Sequence, residues 1–209
     1  VGQVLLACRL LETRPRNLVF MGIGEPLDNY DAVLKAIRIL NDPDGLNIGA
    51  RHITISTCGL VPGIQRLAGE GIQVELSVSL HAPDDALRDR LMPVNRLYPL
   101  SKLIPACGEY ARLTGRIITF EYTLVKGVND SADCARRLAE LLKPAACRVN
   151  LIPLSRVDEY PGEPATRRAI ETFSSTVSGS GINVTVRASR GSNLDAACGQ
   201  LRLRSMVLM

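Results

Sequence analysis

RHITISTCGLVPGIQRLAGEGIQVELSVSL, residues 51–80, reads as a strand, a helix and a second strand in direct succession. RHITIST at 51–57 is rich in β-branched residues, and QVELSVSL at 73–80 again favours a strand. Between them Pro62 opens a short helix over 62–69, and Gly69 and Gly71 stop it. Two strands joined through a helix are the repeating unit of a parallel sheet.

The same alternation continues outward. NLVFMGI at 17–23 reads as a buried strand, followed by a helix that Asp28 can cap, with Val33, Ile37 and Leu40 on its apolar side. Ahead of it, VGQVLLACRLLETR at 1–14 reads as an amphipathic helix, too short and too charged for a signal peptide. Downstream, Pro83 and two aspartates open a short helix toward Leu91, and a longer helix covers 100–113. RIITFEYTLV at 116–125 is the next strand. Asn129, Asp130 and Ser131 offer caps for a helix running to Leu142. CRVNLIPL at 147–154, a helix over 165–177 and INVTVRAS at 182–189 complete the series.

Six strands with intervening helices predict an α/β protein with parallel strands and outer helices. Two layouts compete: a partial (β/α) TIM-like barrel and a doubly wound open sheet. The partial barrel is preferred, because polar signatures follow nearly every strand instead of gathering at one switch point. Several strands read as apolar on both faces, as expected where a barrel interior is filled.

The 209 residues, 46% of them hydrophobic, suffice for one core, and the chain is read as a single domain over 1–209. A net charge of +4 permits a polyanionic partner without requiring one. No run is apolar enough for a membrane span. The six cysteines, Cys8, Cys58, Cys107, Cys134, Cys147 and Cys198, are scattered without metal-binding spacing. They are expected to be reduced in a cytoplasmic protein. Val1 in the first position suggests that the natural start is missing.

The polar signatures supply the candidate site. Gly24 and Glu25 follow the first strand, and the carboxylate can meet an ammonium group or pin its own turn. Ser56 and Ser79 can bond a ribose or carboxylate, or cap turns. His81, ahead of Ala82 and Pro83, reads equally as a ligand contact or a packed histidine. Glu121 and Ser155 lie in or just after later strands. In a parallel barrel all these ends gather at one mouth. The segment RASRGSNLDAACGQL at 187–201 sets Arg187 and Arg190, candidates for phosphate, near Cys198. The small neighbours of Cys198 leave it either a reactive thiol or a buried structural one.

FMGIGEPLDNYDAV, RHITISTCGLVPGI, SVSLHAPDD, LMPVN, FEYTLVKGVNDS, VNLIPLS and SRGSNLDAACGQL occur in that order. Together they resemble the RlmN/Cfr family of radical S-adenosylmethionine (SAM) RNA methyltransferases, most closely its RlmN type, across residues 1–201. The resemblance implies a radical SAM barrel and methylation of C2 of an adenosine in 23S ribosomal RNA, with transfer RNA as a further substrate. It implies that Gly24, Glu25, Ser56, Ser79, Leu80, His81 and Ser155 bind SAM. Cys198 is implied to be methylated and then to carry the methyl group to RNA. It also implies a [4Fe–4S] cluster, which cleaves a second SAM to a radical, and a flavodoxin-like electron donor.

The chain departs from the family pattern in three places. The cluster motif C-x-x-x-C-x-x-C does not occur in it, so a truncated core domain, 1–209, is expected. Ser155 stands where asparagine is usual, and Cys58 where serine is common. The tail LRLRSMVLM leaves the pattern after Gln200. A fragment of the enzyme is therefore the main reading. A non-catalytic paralogue that keeps RNA or SAM binding, and a Cfr-type enzyme acting at adenine C8, are the alternatives.

Overall fold

Alternation along the strands decides which side of the sheet is covered. The computed structural model describes residues 1–21, 24–155 and 161–187. In β2 (Ile53–Thr57), Ile53, Ile55 and Thr57 are buried, while Thr54 and Ser56 between them are only half-buried. In β3 (Glu75–Ser79), Leu76 and Val78 are fully buried, and in β4 (Ile118–Leu124) so are Phe120, Tyr122 and Leu124. The opposite parity carries Glu75, Ser77, Ser79, Thr119, Glu121 and Thr123. One face is thus apolar and the other polar, a period of two. This corrects the expectation of strands apolar on both faces. The second face is an open concave surface, so it needs no apolar filling.

The described residues form a six-stranded sheet in the order β1-β2-β3-β4-β5-β6, every pair parallel. The flanking strands are β1 (Leu18–Phe20), β5 (Cys147–Pro153) and β6 (Asn183–Val186). The order never reverses. Right-handed crossovers that always step the same way put their helices on one face, which is barrel geometry and not a doubly wound sheet.

The helices are α1 (Gly2–Leu11), α2 (Tyr30–Asn41), α3 (Val61–Ala68), α4 (Asp85–Leu91), α5 (Leu100–Thr114), α6 (Ala132–Leu142) and α7 (Arg167–Ser178). Their inward residues, among them Ile37, Leu40, Ile64, Leu103, Leu138 and Phe173, close the core against the apolar face. Tyr122 and Phe173 stack with ring centroids 5.0 Å apart.

At the amino-terminal end of the strands, Glu75 takes a hydrogen bond from Arg148 Nη2 at 3.0 Å and pairs with Arg116. Arg148 Nε also reaches Thr119 Oγ1 at 3.0 Å. This ion network ties β3, β4 and β5 together below the opposite, functional rim.

Several local expectations are corrected. Asp28 does not cap α2; its N–H donates to the Glu25 carbonyl at 3.1 Å, inside a turn. Ser131 alone caps α6, accepting from Cys134 N at 3.1 Å. Asp130 closes the preceding turn by accepting from Gly127 N, and Asn129 is drawn into the core. The first helix ends at Leu11, where Glu12 turns left-handed at φ 50°, and none of its residues is buried. The first strand shrinks to Leu18–Phe20.

Candidate functional site

The carboxyl ends of β1 and β2 meet at Glu25. Gly24 has φ 106°, a left-handed conformation that glycine adopts without strain. It turns the chain so that Glu25 faces the end of β2. Glu25 Oε2 accepts from Cys58 N at 2.7 Å, and Oε1 from Leu27 N at 3.0 Å. Glu25 therefore pins two turns, yet each carboxylate oxygen keeps a further lone pair. A cleft lined by Val4, Val19, Phe20, Gly24, Glu25 and Pro26 opens beside it. The Cys58 thiol is pushed up to about 12 by burial and by its hydrogen bond to Glu25, so it stays protonated at neutral pH.

Ser56 and Ser79 lie on the concave face near the ends of their strands, and neither hydroxyl meets a hydrogen-bond partner among the described residues. Turn capping, the competing reading, is not what they do. Leu80 turns its side chain into the core, fully buried, so only its backbone is open to a role at the rim.

His81 is held tightly. Its φ of 60° is unusual for a residue with a side chain. Its Nδ1 accepts from Thr123 N at 3.0 Å, and its carbonyl accepts from Asn129 Nδ2 at 2.8 Å. Burial first, and the nearby Arg88 cation second, lower its pKa to about 4. The ring is therefore neutral at pH 7, and because a backbone N–H can only donate, the proton sits on Nε2.

One rung across from Ser79 in the sheet register stands Glu121, and beyond it Asn150 and Thr185. Thr185 Oγ1 donates to Asn150 Oδ1 at 2.8 Å, and Asn150 Nδ2 donates to Glu121 Oε1 at 3.2 Å. Glu121 Oε2 is buried without a partner among the described residues, and burial raises its pKa despite the Asn150 bond and the attraction of Arg187. Arg187 is exposed at the end of β6, and Ser155 is exposed just past β5. Cys198 and Arg190 lie outside the described residues.

The model of the radical SAM superfamily matches residues 2–142. The chain belongs to that superfamily. Among its relatives, a probable dual-specificity RNA methyltransferase RlmN from Thermoanaerobacter sp. (strain X514) is 53% identical over 186 residues, covering 89% of this chain and 54% of the relative. Another of that name from Symbiobacterium thermophilum is 51% identical over 209 residues, covering 98% and 56%. The crystal structure of a radical SAM methyltransferase from Sphaerobacter thermophilus superposes with a TM-score of 0.90 at 49% identity, over 95% of this chain and 58% of that one. The chain thus spans somewhat more than half the length of these relatives.

Superfamily membership implies SAM and a [4Fe–4S] cluster. The free hydroxyls of Ser56 and Ser79, the remaining lone pairs of Glu25 and the neutral His81 fit a polar, cationic ligand such as SAM. A cluster does not fit the described residues: no three Cys, His, Asp or Glu converge there, and Cys8, Cys58, Cys107, Cys134 and Cys147 stand as separate free thiols. No helix among the described residues is long and apolar enough to cross a membrane. Sequence reasoning missed Arg88, Asn129 and Asn150, whose side chains bond residues at or beside the candidate rim. Arg88 and Asn129 are almost completely buried despite their polarity, a property that sequence does not display.

Proposed function

We propose that the chain forms the SAM-holding and RNA-facing part of a methyltransferase. Its product carries a methyl group on C2 of an adenosine in 23S ribosomal RNA, and in transfer RNA, delivered through Cys198. One observation supports this reading most: Gly24–Glu25, Ser56 and Ser79–His81 follow consecutive parallel strands to the same rim, with their ligand-facing groups only partly used. The RNA methyltransferase names of relatives about half identical to the chain support the substrate class.

In this reading the Glu25 carboxylate takes the SAM ammonium group. Ser56, Ser79 and Ser155 take its ribose and carboxylate, and Leu80 and His81 border its nucleoside. When bound, SAM supplies a methyl group activated by a sulfonium leaving group. Cys198 would accept that group as a thiolate attacking the methyl carbon, with S-adenosylhomocysteine leaving as a neutral thioether and the thiol proton passing to solvent. Arg187 and Arg190 hold RNA phosphates. The radical chemistry implied by the resemblance needs the [4Fe–4S] cluster and a flavodoxin-like donor, and neither is assigned to residues of this chain.

The test uses the protein that carries this chain, expressed with its natural flanking sequence. With its [4Fe–4S] cluster reconstituted, it is incubated without oxygen with 23S ribosomal RNA transcript, isotopically labelled SAM and a reduced flavodoxin-like donor, and the nucleosides are analysed by mass spectrometry. Label in 2-methyladenosine, lost in Cys198→Ala, is expected. Label in 8-methyladenosine moves the reading to the C8 reaction, and unlabelled RNA from the wild-type protein ends it.

A further inference from the structure

Arg88 carries one of the least expected environments in the molecule. It lies in α4, in the charged stretch DALRDRL, yet it is fully buried. Its guanidinium makes no direct ion pair among the described residues. Instead Nε donates to Leu80 O at 3.2 Å, and Nη2 to Cys58 O at 2.8 Å and Ser79 O at 3.0 Å. Nη1 donates to Asn95 Oδ1 at 2.8 Å and, at the limit of a hydrogen bond, to Tyr98 O at 3.5 Å. A guanidinium has five N–H groups, and all five are used.

Three of the five acceptors are main-chain carbonyls at the ends of β2 and β3. Those ends carry Cys58 and the segment Ser79–Leu80–His81. Charge compensation arrives at one remove: Asn95 Nδ2 donates to Asp89 Oδ1 at 2.7 Å and to Asp85 Oδ1 at 3.0 Å. The fit is close. A Cβ at Gly59, where φ is 105°, would stand 3.2 Å from Arg88 Nη2. A lysine has three donors on one nitrogen and cannot span two strand ends in this way.

We propose that Arg88 is a positioning residue of the SAM site: its fork fixes the carbonyls of Cys58, Ser79 and Leu80, and so sets the spacing of the two strand ends that face the ligand. Arg88 touches no ligand in this proposal. It acts through the backbone of the segments on which the SAM reading rests, and it depends on that reading only for the identity of the ligand.

The experiment compares wild type, Arg88→Lys, Asn95→Ala and a control, Leu142→Val, in the protein with its natural flanking sequence. Leu142 is fully buried at the carboxyl end of α6, where the chain heads for the start of β5 and away from the rim, so its variant loses stability without touching the fork. Three quantities are read well below the unfolding temperature: the unfolding free energy, SAM affinity by calorimetry, and the ring and amide 15N resonances of His81 without ligand. The His81 signals are assigned by their loss in His81→Gln.

Arg88→Lys is expected to shift the His81 resonances and to weaken SAM binding about tenfold or more, because at least two carbonyls lose their donors. Asn95→Ala keeps the guanidinium but frees Nη1. It is expected to fall between wild type and Arg88→Lys, and it carries the test if Arg88→Lys does not fold. Leu142→Val should leave both readouts unchanged. Unmoved His81 resonances and unchanged SAM affinity in the rim variants overturn the proposal, as does an equal affinity loss in Leu142→Val. Shifted resonances in a protein whose wild type binds no SAM leave the positioning role standing and remove the ligand assignment instead.

Discussion

His81 makes the fold sensitive to acid in a defined window. Its pKa is lowered from 6.5 to about 4, chiefly by burial and secondarily by Arg88. Protonation would also destroy the acceptor at Nδ1 that receives Thr123 N. Between those two pH values the unfolded chain binds a proton that the folded chain refuses. Stability therefore rises with pH across the window, and is lost as pH falls from 6.5 toward 4.

Linkage gives the size: about 2 kcal/mol lost between pH 7 and pH 5, and about 3.4 kcal/mol once both states are protonated. The raised pKa of Glu121 works in the opposite sense, so the wild-type profile alone mixes the two. Urea denaturation of wild type and His81→Gln at pH 5, 6 and 7 separates them. The strained φ of 60° adds a constant cost to the variant, while the pH-dependent difference reports the imidazole alone. Long-range 1H–15N spectra of the His81 ring give a second reading. A His81 ring that titrates near pH 6.5, or a flat difference between wild type and variant, would refute the reasoning.

Three further outcomes follow from the same contacts. Asn129→Ala strips Val125 N of its acceptor and the carbonyls of His81 and Thr123 of their donor. At a fully buried position this should cost about 3 kcal/mol in chemical denaturation. Gly59→Ala forces a left-handed residue against Arg88 and Leu103, and should lower stability by about 2 kcal/mol, visible as a drop in melting temperature. Glu121→Gln keeps an acceptor for Asn150 but removes a buried carboxyl that resists ionisation. Since a raised folded pKa gives stability that disappears as pH rises, the variant should lose that decline: its stability climbs more steeply between pH 5 and pH 7, and it gains on wild type as pH rises, read in urea denaturation.

Much of the fold was legible because burial here follows period. Leu76 and Val78 in β3, or Ile37 and Leu40 in α2, announce their faces through spacing alone. The strand order was legible too, since successive βαβ units that step one way leave little choice. Less legible were positions where a polar residue spends its hydrogen bonds inside the protein. Asn129 looked like one of three adjacent helix caps, yet it closes the loop after β4 from within, and Ser131 takes the cap. Nothing in the spacing of DALRDRL marks Arg88 as its buried member. The candidate rim was legible as a list of residues. Its condition was not: that the Ser56 and Ser79 hydroxyls find no partner among the described residues, while Glu25 already holds two N–H groups, depends on distances between strands.

The rim faces a need that strand ends share. Past the last rung of the sheet, main-chain carbonyls lose their ladder donors and need partners from elsewhere. In this chain Arg88 absorbs three of those carbonyls from beneath, at the junction of β2 and β3. With those carbonyls satisfied, Glu25 remains as the accessible anion of the β1–β2 junction, and His81 supplies a neutral N–H donor instead of a competing cation. A buried cation below and a partly exposed carboxylate above make a surface that attracts a positive ligand without also drawing in a proton.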